Sequence, residues 1–189
     1  MVKRCEWGLN HQISIDYHDK EWGVPVYDDK VLFEFLILEG AQAGLSWITI
    51  LKRRENYRKA FDDFEFEKIA KYEEQKILEL IQNPGIIRNK LKIRSTVTNA
   101  QAFIEVRKEF GTFDKYLWSF VDYKPIQNKW KTLREIPAKT ELSEKISKDL
   151  KKRGFRFVGP TIVYAFMQAV GMVNDHTIDC FRYKELKKS

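Results

Sequence analysis

Cysteine is nearly absent from this chain: there are 2 in 189 residues, alongside only 3 histidines. Two cysteines cannot frame the disulfide scaffold on which small secreted domains rely. Glycine (9) and proline (5) are also scarce, which argues against linker-like or low-complexity organisation and leaves few turn signals. No apolar run approaches the roughly 20 residues needed to span a bilayer. The first residues, Met1-Val2-Lys3-Arg4-Cys5-Glu6-Trp7, lack the apolar stretch of a signal peptide. A soluble, cytoplasmic protein with no membrane partner is expected.

What is present is enough apolar material for a core. Hydrophobic residues make up 43% and aromatics 14%, so one domain over residues 1–189, built as two helical lobes, is expected. The net charge of +7 favours a polyanionic partner, nucleic acid first among them. A solvated Lys-rich surface has the same composition. The basic residues are spread out except at Lys151-Lys152-Arg153 and the terminal Lys187-Lys188.

Between the sparse turn signals the patterns are helical. Asp28-Asp29 precede an apolar run, Val31 to Leu38, as cap candidates. Ser46 is placed to cap a helix from Trp47 to about Ala60. Glu74–Gln82 carries Ile77, Leu78 and Ile81 on one face and is broken by Asn83-Pro84-Gly85. Lys90–Phe110 spaces Ile93, Val97, Ala100 and Ile104 at helical period. Thr112 caps a short segment ending near Phe120. Lys124–Lys139, with two prolines, reads as a long loop. Ser143 caps a helix through Lys152, and Thr161–Val170 is a last apolar helix. No strand alternation of length is visible, so the class is all-α.

The cysteines and histidines pair. Cys5 and His18 enclose twelve residues near one end of the chain, and His176 and Cys180 enclose three near the other. Two thiolates and two imidazoles are a tetrahedral set suited to zinc, and four protein ligands leave no position for a reacting water. A capping histidine, isolated core thiols and a Cys5–Cys180 disulfide are the alternatives. A reducing cytosol disfavours the last.

The segment Leu150-Lys151-Lys152-Arg153-Gly154-Phe155-Arg156-Phe157-Val158-Gly159-Pro160-Thr161 has the layout of a helix-hairpin-helix, near residues 143–171. Gly154 and Gly159 let backbone approach a partner closely, and N–H groups at the second helix can hold a phosphate. Lys151, Lys152 and Arg153 would add salt-dependent attraction, with Phe157 between the glycines. An ordinary αα-corner with a glycine stop fits the same residues. Pro160 removes one N–H donor from the hairpin exit, at a position where proline is well tolerated.

Longer blocks are more specific. They include Tyr17-His18-Asp19, Glu21-Trp22-Gly23-Val24-Pro25, Leu38-Glu39-Gly40, Gln42-Ala43-Gly44-Leu45-Ser46-Trp47-Ile48-Thr49, Lys52-Arg53-Arg54-Glu55-Asn56-Tyr57-Arg58 and Val173-Asn174-Asp175-His176. In these blocks the chain resembles the bacterial DNA-3-methyladenine glycosylase I family of the helix-hairpin-helix superfamily. The likeness runs in order from Arg4-Cys5 to Cys180. It departs at Ser14, at Pro160 and in the tail after Cys180.

The resemblance implies an all-α helix-hairpin-helix DNA glycosylase fold. One structural zinc ion on Cys5, His18, His176 and Cys180 would join the N- and C-terminal segments. It implies monofunctional hydrolysis of the N-glycosidic bond of 3-methyladenine in double-stranded DNA, by a protein acting as a monomer. The extruded base would meet Glu39 as catalytic and base-binding carboxylate, an aromatic sandwich of Tyr17 and Trp47, and Trp7 nearby. A carboxylate accepts hydrogen bonds only while ionised, and aromatic faces attract a cationic ring, so the set selects charge as well as shape. Trp22, Trp118 and Trp130 are read as core.

Gly44 and Leu45 lie between Glu39 and Trp47, which makes Leu45 the candidate wedge filling the gap in the duplex. In the run Val173-Asn174-Asp175-His176, Asn174 stands where many helix-hairpin-helix glycosylases carry an aspartate. There is also no lysine at the hairpin position that bifunctional relatives use. Two other readings stay open at this stage: a non-catalytic helix-hairpin-helix DNA-binding protein, and a zinc hydrolase, which would need an open coordination position.

Overall fold

The computed structural model describes residues 2–187, so Lys188 of the basic tail lies outside the described residues. The order is α1 (Gln12–Lys20), α2 (Asp29–Gln42), α3 (Trp47–Leu51), α4 (Arg54–Ala60), α5 (Phe66–Ile69), α6 (Glu74–Gln82), α7 (Lys90–Phe110), α8 (Phe113–Ser119), β1 (Ile126–Gln127), α9 (Glu141–Lys152), α10 (Pro160–Ala169), β2 (Val173–Asn174) and α11 (Phe181–Leu186). No helix among the described residues is long and apolar enough to cross a membrane.

The organising element is α2. Asp28 Oδ1 accepts from Val31 N at 2.9 Å and starts it. Every residue from Leu32 to Ala41 is buried. A helix buried on all sides belongs inside a protein, and α2 packs against α3, α7, α8 and α10. Phe33 meets Phe66 and Phe103 at centroid distances of 5.9 and 5.1 Å. Truncating a fully buried ring of this kind costs about 3–5 kcal/mol.

Buried charge fixes the helices around α2. Arg54 Nε donates to Glu34 Oε1 at 2.5 Å and Nη1 to Glu21 Oε2 at 2.6 Å. Arg58 shares Glu34. The single helix expected over 47–60 is broken at Lys52-Arg53, and Arg54 turns inward at the start of α4. Ser46 precedes α3 without capping its backbone; its hydroxyl pairs with Thr49 Oγ1 at 2.8 Å.

Thr140, not Ser143, starts α9. Thr140 Oγ1 accepts from Ser143 N, and Ser143 Oγ accepts from Thr140 N, a reciprocal capping box. Thr112 caps α8 as expected, and Pro160 takes the first position of α10.

The two chain ends are drawn together. Within the loop over 124–139, β1 pairs in parallel with β2, Ile126 with Val173 and Gln127 with Asn174. Gly171 has φ +74°, and an added Cβ would lie 2.5 Å from Pro25 N. Only glycine permits that approach of the 24–26 segment. Val26 N donates to Val170 O there at 3.1 Å. Val26 O accepts from Trp118 Nε1 at 2.8 Å, deep in the core.

Candidate functional site: an aromatic pocket beside a Cys/His cluster

A cavity of about 420 Å³ opens between α1, α2, α3 and α10, with Trp7, Tyr17, Glu39 and Trp47 in its wall. Helix α1 delivers Tyr17, α2 delivers Glu39 and α3 delivers Trp47. The Tyr17 and Trp47 rings are 5.5 Å apart at 51°, and Trp7 stands 6.3 Å from Tyr17 at 61°. The rings therefore form an angled wall rather than a parallel sandwich.

The polar atoms of this wall are unpaired. Tyr17 OH, Trp47 Nε1 and Trp7 Nε1 are buried without a hydrogen-bond partner among the described residues. Tyr17 OH and Trp47 Nε1 are neighbours without hydrogen-bond geometry. Leaving a buried donor unmet costs about 1–3 kcal/mol each, so three such groups gathered around one pocket mark its wall as the exception in a fold whose buried polar groups are otherwise paired.

Glu39 is 4% exposed. Its carboxylate has no hydrogen-bond partner among the described residues, and burial alone pushes its pKa from 4.5 up to about 8. Burial also raises Tyr17, helped by the Glu39 charge. An unpaired buried carboxylate is stabilised in its ionised form by a cation or by hydrogen-bond donors.

The far wall comes from residues that sequence reasoning did not select. Trp22, read as core, reaches the cavity, as do Gln42, Tyr164 and Gln168. Leu133, Ile136 and Pro137 of the 124–139 loop close its side. Behind this wall Asp175, 1% exposed, accepts four hydrogen bonds: from Asn128 Nδ2 (2.6 Å), Trp130 Nε1 (2.8 Å), Tyr164 OH (2.6 Å) and Gln168 Nε2 (2.8 Å). Asn174 faces elsewhere, with Nδ2 donating to Gln127 Oε1 at 2.9 Å and to Tyr183 O at 3.2 Å.

Beside the pocket, the ligand atoms of Cys5, His18, His176 and Cys180 lie within 4.8 Å of one another, all four residues buried. His18 turns Nε2 to Cys180 Sγ at 3.5 Å, while its Nδ1 meets Asp19 Oδ1 at 2.8 Å. His176 turns Nδ1 to both sulfurs at 3.5 Å, while its Nε2 meets Trp22 O at 3.0 Å. Each ring is thus oriented by an outer partner, as metal-binding histidines are. Burial works to raise Asp19, but hydrogen bonds from Arg4 and His18 prevail and hold it below the ordinary carboxylate range. Hydrogen bonds from Cys5, His176 and His18 hold Cys180 on the thiolate side.

The hairpin residues are placed unevenly. Lys151 and Lys152 are exposed, Gly154 has φ +95° and Phe157 is left-handed at φ +54°. Arg153 is engaged internally, with Glu109 and Asp149 as partners at 2.6 and 2.8 Å and its guanidinium 5.0 Å from the Tyr116 ring centroid. Leu45 is 38% exposed at the tip of a turn where Gly44 has φ +80°.

The fold and this cavity define a helical protein with a pocket walled by aromatic rings and one unpaired carboxylate. The comparisons with known proteins sharpen that class. A methyladenine glycosylase family model matches residues 7–183. The DNA-3-methyladenine glycosylase of Haemophilus influenzae is 52% identical over 180 residues, 95% of this chain and 97% of that protein. A crystal structure of 3-methyladenine DNA glycosylase I superposes with a TM-score of 0.92 at 49% identity, over 95% of this chain and 98% of that one. A tyrosine-to-phenylalanine variant of 3-methyladenine DNA glycosylase I, solved in complex with 3-methyladenine, also gives 0.92, at 39% identity over 94% and 96% of the two chains. The chain belongs to the methyladenine glycosylase family, and is thereby a hydrolase of N-glycosyl bonds.

Proposed function

We propose that this protein removes 3-methyladenine from alkylated DNA as the first step of base excision repair. The observation that carries this reading is the buried, unpaired carboxylate of Glu39 in a cavity walled by the rings of Tyr17, Trp47 and Trp7. 3-Methyladenine in DNA is a cationic ring with an exocyclic amino group. Ionised Glu39 would accept from that amino group and offset the charge, while Tyr17, Trp47 and Trp7 supply polarizable faces. Ordinary adenine brings no charge to repay the ionisation of Glu39.

The chemistry asks little further of the protein. Water adds to the sugar anomeric carbon and gives up a proton. The bond to the base nitrogen breaks, and its electron pair leaves with the base, which departs neutral. No acid is needed to protonate the leaving group. The orientation of Asn174 away from the cavity agrees with chemistry that draws no help from that position and is restricted to cationic bases. A neutral lesion such as hypoxanthine should be released at a negligible rate.

Duplex contact would come from the α9–α10 turn acting as a helix-hairpin-helix, with exposed Lys151 and Lys152 as the phosphate-attracting charges, and Gly154, Phe157 and Gly159 shaping the approach. Arg153, held by two carboxylates, contributes less than its two neighbours. Leu45 would fill the space left by the extruded base.

The donor set of Cys5, His18, His176 and Cys180 fits zinc: two sulfurs and two ring nitrogens converge, and each imidazole is oriented by an outer partner. Zinc held there supplies a covalent-strength link between the chain ends, with no open position for substrate.

The test is incubation with methylated DNA and identification of released bases, with Glu39→Gln alongside. The expected result is 3-methyladenine release, falling about a hundredfold in the variant, in the range for loss of one electrostatic stabiliser. Equal release by Glu39→Gln would remove Glu39 from the reaction. Duplex binding without release would favour the binding-protein alternative.

A further inference from the structure

The Leu45 turn and the hairpin turn sit on separate stretches of chain, yet both are fastened to one face of α7. Lys92, in the first turn of α7, donates through Nζ to Ala41 O at 2.8 Å and Ala43 O at 2.6 Å. These carbonyls end α2 and lead into Gly44-Leu45, where a cation also complements the helix C-terminus. Seven residues on, Asn99 clasps Arg156 by both backbone groups: Nδ2 donates to Arg156 O at 3.0 Å and Oδ1 accepts from Arg156 N at 2.7 Å. Asn99 is 3% exposed.

Positions seven apart share a helix face and are separated by about 10 Å of axial rise. The hairpin turn also packs on the last turn of α2, since a Cβ added at Gly40 would stand 3.3 Å from Phe157 Cβ. Residue 157 is a phenylalanine in left-handed conformation (φ +54°), which a bulky side chain adopts only where its surroundings enforce it. The Asn99 clasp acts on the residue immediately before it. From within itself the Leu45 turn is braced by Gln42, whose Nε2 donates to Leu45 O at 2.6 Å and whose O accepts from Leu45 N at 2.7 Å.

We infer that α7 is a gauge that fixes the spacing of the two DNA-facing turns, with Lys92 and Asn99 as positioning residues for duplex engagement and base extrusion. The inference rests on the proposed reading that these turns meet DNA. Neither residue lines the base pocket, so their effect should separate from base recognition. If Lys92 lets go, the pocket still accepts a free base, but the wedge and the hairpin no longer grip one duplex at the spacing that drives extrusion.

The test uses Lys92→Met, which keeps the stem and removes the charge, and Lys92→Arg, which keeps a cation. Base release is followed on methylated duplex and methylated single-stranded DNA, and free 3-methyladenine binding by fluorescence of the pocket tryptophans. For Lys92→Met the expected result is a loss of about tenfold in kcat/KM on duplex, the scale of a hydrogen bond to a charged group. Single-strand release and free-base affinity should stay within about twofold, since neither needs a base pulled from a stack, and Lys92→Arg should recover most of the duplex loss. Unchanged duplex activity overturns the inference. So does an equal loss on duplex, single strand and free base, which would mark Lys92 as general support. Should Lys92→Met fail to fold, Lys92→Gln, which keeps a donor without the charge, goes through the same comparison. Absence of release by the unmodified protein from either substrate would instead overturn the proposed function, and the inference with it.

Discussion

Tyr17 and His18 are consecutive residues of α1, both almost wholly buried, and they meet opposite fates. Both ring nitrogens of His18 have partners, Asp19 on one side and Cys180 on the other. The Tyr17 hydroxyl has none. The same contrast divides the regions to which they belong. In the Cys/His cluster and in the Asp175 hub behind it, the buried polar groups are met by protein atoms. In the pocket, Glu39 and three ring donors are left over. Saturated groups hold a shape, whereas unsaturated ones keep a free-energy cost that only an incoming molecule relieves. The pocket keeps its vacancies because its walls are fixed from behind by the Cys/His cluster and the Asp175 hub, whose own side-chain polar atoms are paired among the described residues.

The strongest way to break this contrast is to open the saturated side. Cys180→Ser, or a chelator, should destabilise the fold by about 5 kcal/mol, a fraction of the energy of a structural zinc site. The readout is thermal unfolding with and without added zinc. Activity should fall in parallel with the folded fraction. Loss of turnover in a protein that keeps its unfolding temperature would reverse the assignment and move the chemistry to the cluster.

On the pocket side, Glu39→Gln should show opposite effects on activity and stability. Release falls about a hundredfold, while stability at alkaline pH rises. The sign follows from the raised carboxyl. With a folded pKa of about 8 against an ordinary 4.5, the folded state holds a proton that the unfolded state gives up in that window. The stability associated with neutral Glu39 is full below 4.5 and is lost as pH rises through 8. The variant has no such loss, so its unfolding temperature should exceed the parent's at pH 9 and approach it at pH 4. Parallel curves across that range would mean that Glu39 is solvated or paired.

Much of this contrast was invisible in the sequence, for physical reasons. Periodicity and caps marked α2, α7 and α8, because burial and Asp28 or Thr112 leave local signals. They missed α1, whose Gln12-Ile13-Ser14-Ile15-Asp16 opening has no side-chain cap. They also run α3 and α4 together, because no glycine or proline marks the break at Lys52-Arg53. Residue types and spacing proposed the Cys/His group from four positions. The pocket residues Glu39, Tyr17, Trp47 and Trp7 came from family resemblance. Gln42, Tyr164 and Gln168 escaped because a polar residue beside a cavity and one beside solvent look alike along the chain. Trp22 is core, as its residue type suggests, and reaches the cavity too because a tryptophan between two layers belongs to both.

Asp175→Asn tests whether saturation of the hub is what holds the far pocket wall. Asn128, Trp130, Tyr164 and Gln168 all present donors, and an amide would turn one N–H group toward them. A loss of about 3 kcal/mol is expected, as for breaking a buried polar network. Weaker 3-methyladenine binding should accompany it, because Tyr164 and Gln168 line the cavity. Destabilisation with unchanged affinity would confine the hub to folding.

The smallest effect is the most pointed. Tyr17→Phe removes an unpartnered buried hydroxyl and leaves the ring. Where a hydroxyl has a protein partner, its deletion costs about 1 kcal/mol. Here that partner is missing, so the unliganded protein should be no less stable, and more stable by up to about 1 kcal/mol. If the hydroxyl serves the bound base, affinity for 3-methyladenine should fall a few-fold in the same variant. If it serves nothing, affinity should hold. A lower unfolding temperature would show that Tyr17 has a partner after all, and the line between the saturated and unsaturated regions would then run elsewhere than between residues 17 and 18.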